Sequence, residues 1–331
     1  MTSRALKGGL ALLAGAAAFW LWWRTFDGPG VAARVLRADV LVVLSGVALM
    51  AAAQFLRLLR WHVLLRGVGP IPLARTFRLL YASEFLNNLL PVKVGDIGRA
   101  VALANGSTVF TIGSATASMV VDRLYGILAR IVVLALLPLV PSQLPAGLRL
   151  SIGLFTAVLL VSVALLLAWS RHSDTFARLL APLHRLVPSR GQEPVARTLR
   201  SFADATVTLG IRPVLAAKLL ALSLTSLAAQ AAGLSALFLA AGLRLPFAVA
   251  LVGTALLDLL AVVPAPPAGV GSAEWYGTLV FATALGQPAG PTAAAALLYH
   301  AAWLLIVFVA GGLSITAVVE MLPRKTTEVE P

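Results

Sequence analysis

Polar residues stand out in this chain because there are so few of them, and most fall at two interruptions in otherwise apolar sequence. Glu84, Asn87, Asn88, Lys93, Asp96 and Arg99 lie within sixteen residues broken by Pro91 and Gly95. Asp122-Arg123 sits inside a long apolar run, and Asp258 and Glu274 flank a second break built of Pro264, Pro267 and Gly271. A carboxylate or guanidinium facing lipid costs several kcal/mol, so these groups are expected to face a wet cavity and to pair with one another. Asn87, Asn88, Asp96 and Arg99 from one break, with Asp258 and Glu274 from the other, are candidates to line a groove for a lipid headgroup, with Glu84, Lys93 and Asp122 in the same set. Arg123 could hold a phosphate there by a bidentate contact. The alternative is that the same residues are half-helix caps and internal ion pairs, Asp96 and Ser272 being best placed to cap because each follows a Gly. A carboxyl in such a groove could also carry a proton.

Composition says what must position these residues. The chain has 331 residues, 60% of them hydrophobic and 12% charged, too little polar surface to coat a soluble globule. It therefore reads as an all-α, polytopic helical membrane protein. A net charge of +13 fits cytoplasmic loops and anionic headgroups, and no nucleic-acid partner is expected. With no Cys and four scattered His, neither thiol chemistry, a metal site nor a cofactor is expected. No His-Glu-x-x-His, Walker loop or Gly-x-Ser-x-Gly occurs, which counts against an enzyme. His300, inside an apolar segment, suits a helix-to-helix hydrogen bond.

Taken in order, apolar runs predict about six full spans near residues 8–23, 39–59, 111–139, 148–169, 213–239 and 292–319. A cleaved signal peptide is the alternative for the first, but its Trp20, Trp22 and Trp23 make a poor cleavage site and suit a membrane interface. Arg57, Arg60, Arg66, Arg75 and Arg78 read as a cytoplasmic loop after the second span. The segments at about 74–105 and 246–285 have flanks too short to cross and read as re-entrant helical hairpins. Gly271 follows Gly95 by 176 residues, and interrupted segments at matching places in two halves point to an inverted repeat with a binding site between them. The expected organisation is a first half over 1–170, a basic amphipathic cytoplasmic connection over 171–212, a second half over 213–320 and a disordered tail over 321–331. The basic face at 171–200 should meet anionic headgroups. Placing basic loops inside puts both termini in the cytoplasm of a cell whose inner (plasma) membrane the chain spans, and loop 24–38 outside.

The motifs Phe85-Leu86-Asn87-Asn88-Leu89-Leu90-Pro91 with Gly95-Asp96, Val121-Asp122-Arg123-Leu124, and Pro264 through Gly271 with Glu274 resemble the transmembrane region of lysylphosphatidylglycerol synthases and the stand-alone flippase-like proteins similar to it, over about residues 40–320. The resemblance implies a flippase-like fold and a role in moving or handling lipids such as aminoacylated phospholipids, lipid-linked sugars or hopanoids. It departs at Tyr125, where family members often carry an acid. No polar stretch matches the soluble aminoacyl-transfer domain, so the chain is expected not to make the lipid, and a separately encoded synthase or glycosyltransferase could be a partner. A lipid-modifying membrane enzyme and a non-transporting partner protein are the competing readings.

Overall fold

The computed structural model describes residues 2–90, 94–105, 107–137, 213–260 and 265–321, with a few residues between 147 and 157. The described residues form helices and no strand. In chain order these are α1 (Thr2–Thr25), α2 (Gly28–Leu36), α3 (Val40–Val68), α4 (Leu73–Leu89), α5 (Val94–Ala104), α6 (Ile112–Leu134), α7 (Pro213–Ala240), α8 (Phe247–Leu260), α9 (Ser272–Thr278), α10 (Ala289–Gly312) and α11 (Ile315–Met321). A single 3-10 turn, Pro267–Gly269, precedes α9, and a π turn, Leu279–Ala284, extends it.

Three of these helices, α3, α7 and α10, are both long and apolar enough to cross a membrane. At 1.5 Å per residue α3 and α7 each exceed the roughly 30 Å hydrocarbon core. The chain is an all-α polytopic membrane protein. Helix α3 does not stop at Leu59: no Gly or Pro intervenes between Val47 and Gly67, and Leu58, Trp61, Leu64 and Leu65 are all buried. Arg57, Arg60 and Arg66 are therefore inside α3, and Arg75 and Arg78 inside α4, not in a basic loop. The expected outer loop 24–38 likewise contains a helix, α2, packed against α10.

Helices α3 and α7 form the axis of the molecule and run antiparallel. Gly46 lies against Gly233 and Leu237, the Ser226 hydroxyl donates to the Ala53 carbonyl at 2.9 Å, Arg60 donates to Ser223 at 2.9 Å, and Leu64 packs with Leu219. At the Gly46–Gly233 crossing a Cβ on Gly233 would stand 2.9 Å from the Gly46 carbonyl oxygen. Small residues allow this approach where lipid supplies no hydrophobic drive for association.

The helices that follow each axis helix correspond in order. Helices α7, α8, α9 and α10 begin 173 to 178 residues after α3, α4, α5 and α6. Their contacts correspond too: α3 with α4 and α7 with α8, α5 with α6 and α9 with α10, α4 with α10 and α8 with α6. Helix α4 and the 11-residue α5 form an antiparallel hairpin, with Asn87 against Gly95 and Arg75 donating to the Ala102 carbonyl at 3.3 Å. At 17 residues, α4 is about 25 Å long, short of the hydrocarbon thickness. Helix α8, at 14 residues, is shorter still.

Helix α1 is part of the fold. Trp22 is fully buried and donates its indole N–H to the Thr278 hydroxyl at 2.9 Å, and Trp275 donates to the Ala18 carbonyl at 2.9 Å. Trp20, by contrast, is exposed, with Arg24 over its ring.

Candidate functional site

Most of the candidate residues converge on one face of α6. Thr111 and Ser114 cap its N-terminus reciprocally, each side chain accepting from the other's backbone N–H at 3.1 and 2.9 Å, which fixes the helix start. Asp122 and Arg123 then lie at its middle. Asp122 accepts two hydrogen bonds from Arg60, at 2.6 and 2.9 Å, while Arg123 reaches Asp96 on α5. Two turns further on, Arg130 holds Asp258 of α8, with its Nε donating at 2.8 Å. Both hairpins thus tie an acid to the same helix, at arginines about 10 Å apart along its axis.

Gly126 sits between these pairs. A Cβ there would stand 2.9 Å from an Arg130 nitrogen and 3.4 Å from both terminal nitrogens of Arg60. The missing side chain leaves room for two guanidiniums to lie over α6, each held by its own carboxylate.

At the first hairpin Asp96 is the hub. It accepts from Ser83 and Asn87, both at 3.3 Å, and is shared by Arg99, at 3.5 Å, and Arg123. Asp96 is thus an ion-pair centre; the group that caps α5 is Asn87, whose carboxamide oxygen accepts the Gly95 N–H at 2.9 Å. Gly95 is the only residue type that fits, since a Cβ would come within 2.1 Å of the Ser83 carbonyl. Arg99 is buried over the Trp61 ring, 4.5 Å from its centroid, and its Nε has no hydrogen-bond partner. The Trp61 indole is fixed by Ser118 at 3.2 Å. Arg123 differs: its side chain is 55% exposed.

Beside this hub, Glu84 accepts from Arg57 at 2.5 Å, and Asn88 turns back to the Glu84 carbonyl at 2.9 Å. Asp258 also accepts from Gln230 at 3.2 Å, and Gln230 bonds Tyr299 at 2.6 Å. Among the described residues, five arginines (57, 60, 99, 123 and 130) thus meet four carboxylates (84, 96, 122 and 258). The cluster therefore carries one more cation than anion, with Arg99 and Arg123 sharing Asp96.

Glu274 joins a different group. Its carboxylate contacts His300 Nδ1 at 2.7 Å and accepts the Gly271 N–H at 2.9 Å, and its side chain is only 3% exposed. His300 therefore makes the helix-to-helix contact its sequence position suggests. Ser272 donates to the Gly269 carbonyl at 2.9 Å, and Glu274 takes the backbone N–H at the start of α9. Pro267 opens the 3-10 turn, and Gly271 has φ 82°. Lys93, Pro91, Pro264 and the basic segment 171–200 lie outside the described residues.

Sequence reasoning missed Arg57, Arg60, Arg130, Gln230, Tyr299 and Ser223 as members of the site. A signal for the first two existed: Gln54, Arg57, Arg60 and Trp61 recur at three- and four-residue spacing, which puts them toward one side of a helix. Among the described residues no group of His, Cys, Asp and Glu is arranged to hold a metal ion.

No curated protein and no solved structure matches the chain. The model of one family, the lysylphosphatidylglycerol synthase TM region, matches residues 8–311, beginning within α1 rather than near residue 40 and taking in both hairpins and α6. The chain belongs to the lysylphosphatidylglycerol synthase TM-region family.

Proposed function

We propose that the protein moves a polar-headgroup lipid from one membrane leaflet to the other along the charged face of α6, between the two hairpins. The headgroup would be of the aminoacyl-phospholipid, lipid-linked sugar or hopanoid kind. The observation that carries this reading is the sharing of Asp96 by two arginines, one buried and one half exposed. Arg123 can leave Asp96 for a headgroup anion without stranding the carboxylate, because Arg99 stays in place. Family membership supports a lipid-related membrane function.

The reading also takes the hairpins as re-entrant and the two halves as an inverted repeat. Corresponding helices with corresponding contacts, on either side of an antiparallel α3–α7 pair, support it. Binding sites in such folds lie where the two repeats meet. The chain would sit in the inner (plasma) membrane with both termini cytoplasmic, translocating a lipid supplied by a separate enzyme and making no covalent change itself.

Reconstitution into vesicles with head-labelled aminoacyl-phosphatidylglycerol tests this. Leaflet exchange is expected from the wild type, a chemically altered lipid would indicate an enzyme, and neither would indicate a partner protein. Arg123→Ala should cost less than about 1 kcal/mol of stability, as for other exposed ion pairs, yet slow exchange by about tenfold or more, equivalent to losing one charge-assisted contact. Asp96→Asn should reduce it further; undiminished exchange in both variants would remove this hub from the mechanism.

A further inference from the structure

The pair Glu274–His300 has no part in the charged face of α6, and its geometry sets a condition on protons. His300 Nε2 lies 2.8 Å from the Ala268 carbonyl oxygen. A carbonyl only accepts, so Nε2 carries a hydrogen. His300 Nδ1 lies 2.7 Å from a Glu274 oxygen, and two lone pairs at that distance repel, so a second hydrogen must lie between them. It makes either an imidazolium beside a carboxylate or a neutral imidazole beside a carboxylic acid; in both cases the pair is neutral overall and holds one proton more than a neutral His with an ionised Glu.

We propose that Glu274 and His300 together form a proton-binding site whose occupancy locks the tip of the second hairpin. The lock acts through the turn Ala268–Gly271. Ala268 has φ 55°, and Gly269 and Gly271 have φ 72° and 82°. For Ala the left-handed region is unfavourable, and its conformation is held by the bond from His300 to its own carbonyl. Three residues on, the Gly271 N–H is held by the other Glu274 oxygen at 2.9 Å. The turn in turn packs against α1 and α4. Loss of the proton leaves one ring N–H for two contacts and a net negative charge in a buried site; the remaining hydrogen is drawn to Nδ1 beside the carboxylate, Nε2 then turns a lone pair toward the Ala268 carbonyl, and the bond that holds Ala268 is lost.

The surroundings offer no other charge to take the proton's place. Among the described residues Glu274 is the one charged group that acts on His300. Helix α1 has no ionisable residue between Gly8 and Trp23. On α4, Glu84 is paired with Arg57, Arg75 donates to the Ala102 carbonyl and Arg78 lies one turn from Arg75. On α10, Tyr299 bonds Gln230. Tyr81 of α4 and Tyr276 of α9 are phenols and supply no positive charge.

The Glu274–His300 lock is independent of lipid movement and can be measured without it. The full chain, labelled with 15N-histidine in lipid nanodiscs, has four histidines to assign by single His→Gln replacements. Below the site's titration midpoint His300 should show a protonated Nε2 and a strongly deshielded bridging proton at Nδ1. Hydrogen exchange of residues 265–275, corrected for intrinsic rate, should rise roughly tenfold as pH passes above that midpoint, the loss expected for one charge-assisted hydrogen bond. In His300→Gln the pH dependence should vanish. A bridging proton absent at every pH between 5 and 9, or wild-type protection of 265–275 that ignores pH across that range, overturns the proposal.

Discussion

The two hairpins hold corresponding places in the helix order but use their polar residues in different ways. In the first, Asp96 gathers Ser83, Asn87, Arg99 and Arg123, and the last of these stays half exposed. In the second, Glu274 is buried with His300, its bonds go to one side chain and one backbone N–H, and α1 covers the turn through Gly15 and Phe19. Equivalent positions thus give an open, charged tip on one side and a closed, neutral one on the other. A symmetric pair of binding arms would not be built this way. The asymmetry suits a molecule in which one hairpin meets the polar ligand and the other is held by a separate lock.

The contrast can be broken most severely at Arg60. Its guanidinium holds Asp122 by two hydrogen bonds and reaches across to Ser223, with the Arg60 side chain 7% and the Asp122 side chain 13% exposed. Arg60→Met strands a buried carboxylate and should lower stability by about 3–5 kcal/mol. Adding Asp122→Leu should restore most of the loss, because removing both partners leaves no uncompensated charge. Thermal unfolding in a fixed detergent measures both. If the single variant is as stable as the wild type, the charges along α6 are not what joins α3 to α6.

The second hairpin should break sterically rather than electrostatically. Gly271 has φ 82°, and a Cβ there would stand 2.6 Å from the Gly15 carbonyl oxygen. Gly271→Ala combines a left-handed alanine with a backbone clash and should cost about 2 kcal/mol, and it should lift α1. Since the chain has no Cys, a single Ala18→Cys reports the change cleanly: thiol labelling should quicken in the Gly271→Ala background and stay unchanged when Gly95→Ala is made in the other hairpin. Equal labelling in the two backgrounds would mean that α1 does not discriminate between the tips.

What the sequence showed and what it hid divide along a physical line. Breaks in the chain are local, so Pro91 and Gly95 marked the boundary between α4 and α5, and Pro264 and Gly271 the boundary between α8 and α9. Helix composition is local too, and it set the fold class. Partners are not local. Glu84 is 27 residues from Arg57 and Asp122 is 62 from Arg60, so five helix-borne arginines, these two among them, passed for loop cations. Asp96 looked like a cap because it follows a Gly at a helix start, but whether an acid caps or pairs depends on which side chains cross the hairpin, and Asn87 took the cap. The Trp cluster of α1 gave the same kind of ambiguity, since an interfacial Trp and a buried one are written with the same letter.

That ambiguity at α1 is the smallest effect to test and the one that fixes the comparison's outer boundary. Trp22 is fully buried in the same apolar cluster as Phe238 and Phe281, with its ring beside Phe19 and Phe26, and its indole N–H finds the Thr278 hydroxyl, which itself donates to the Glu274 carbonyl at 2.8 Å. Trp22→Phe keeps an aromatic ring but removes the donor, and should cost about 1 kcal/mol for the lost hydrogen bond, with some further loss from the smaller ring. Trp20→Phe, on the exposed face of the same helix, should cost nothing measurable. If the two cost the same, α1 is held by the membrane interface alone. A loss confined to Trp22 means that this helix closes the second hairpin through side-chain contact, and that the closed character of that tip is built into the fold.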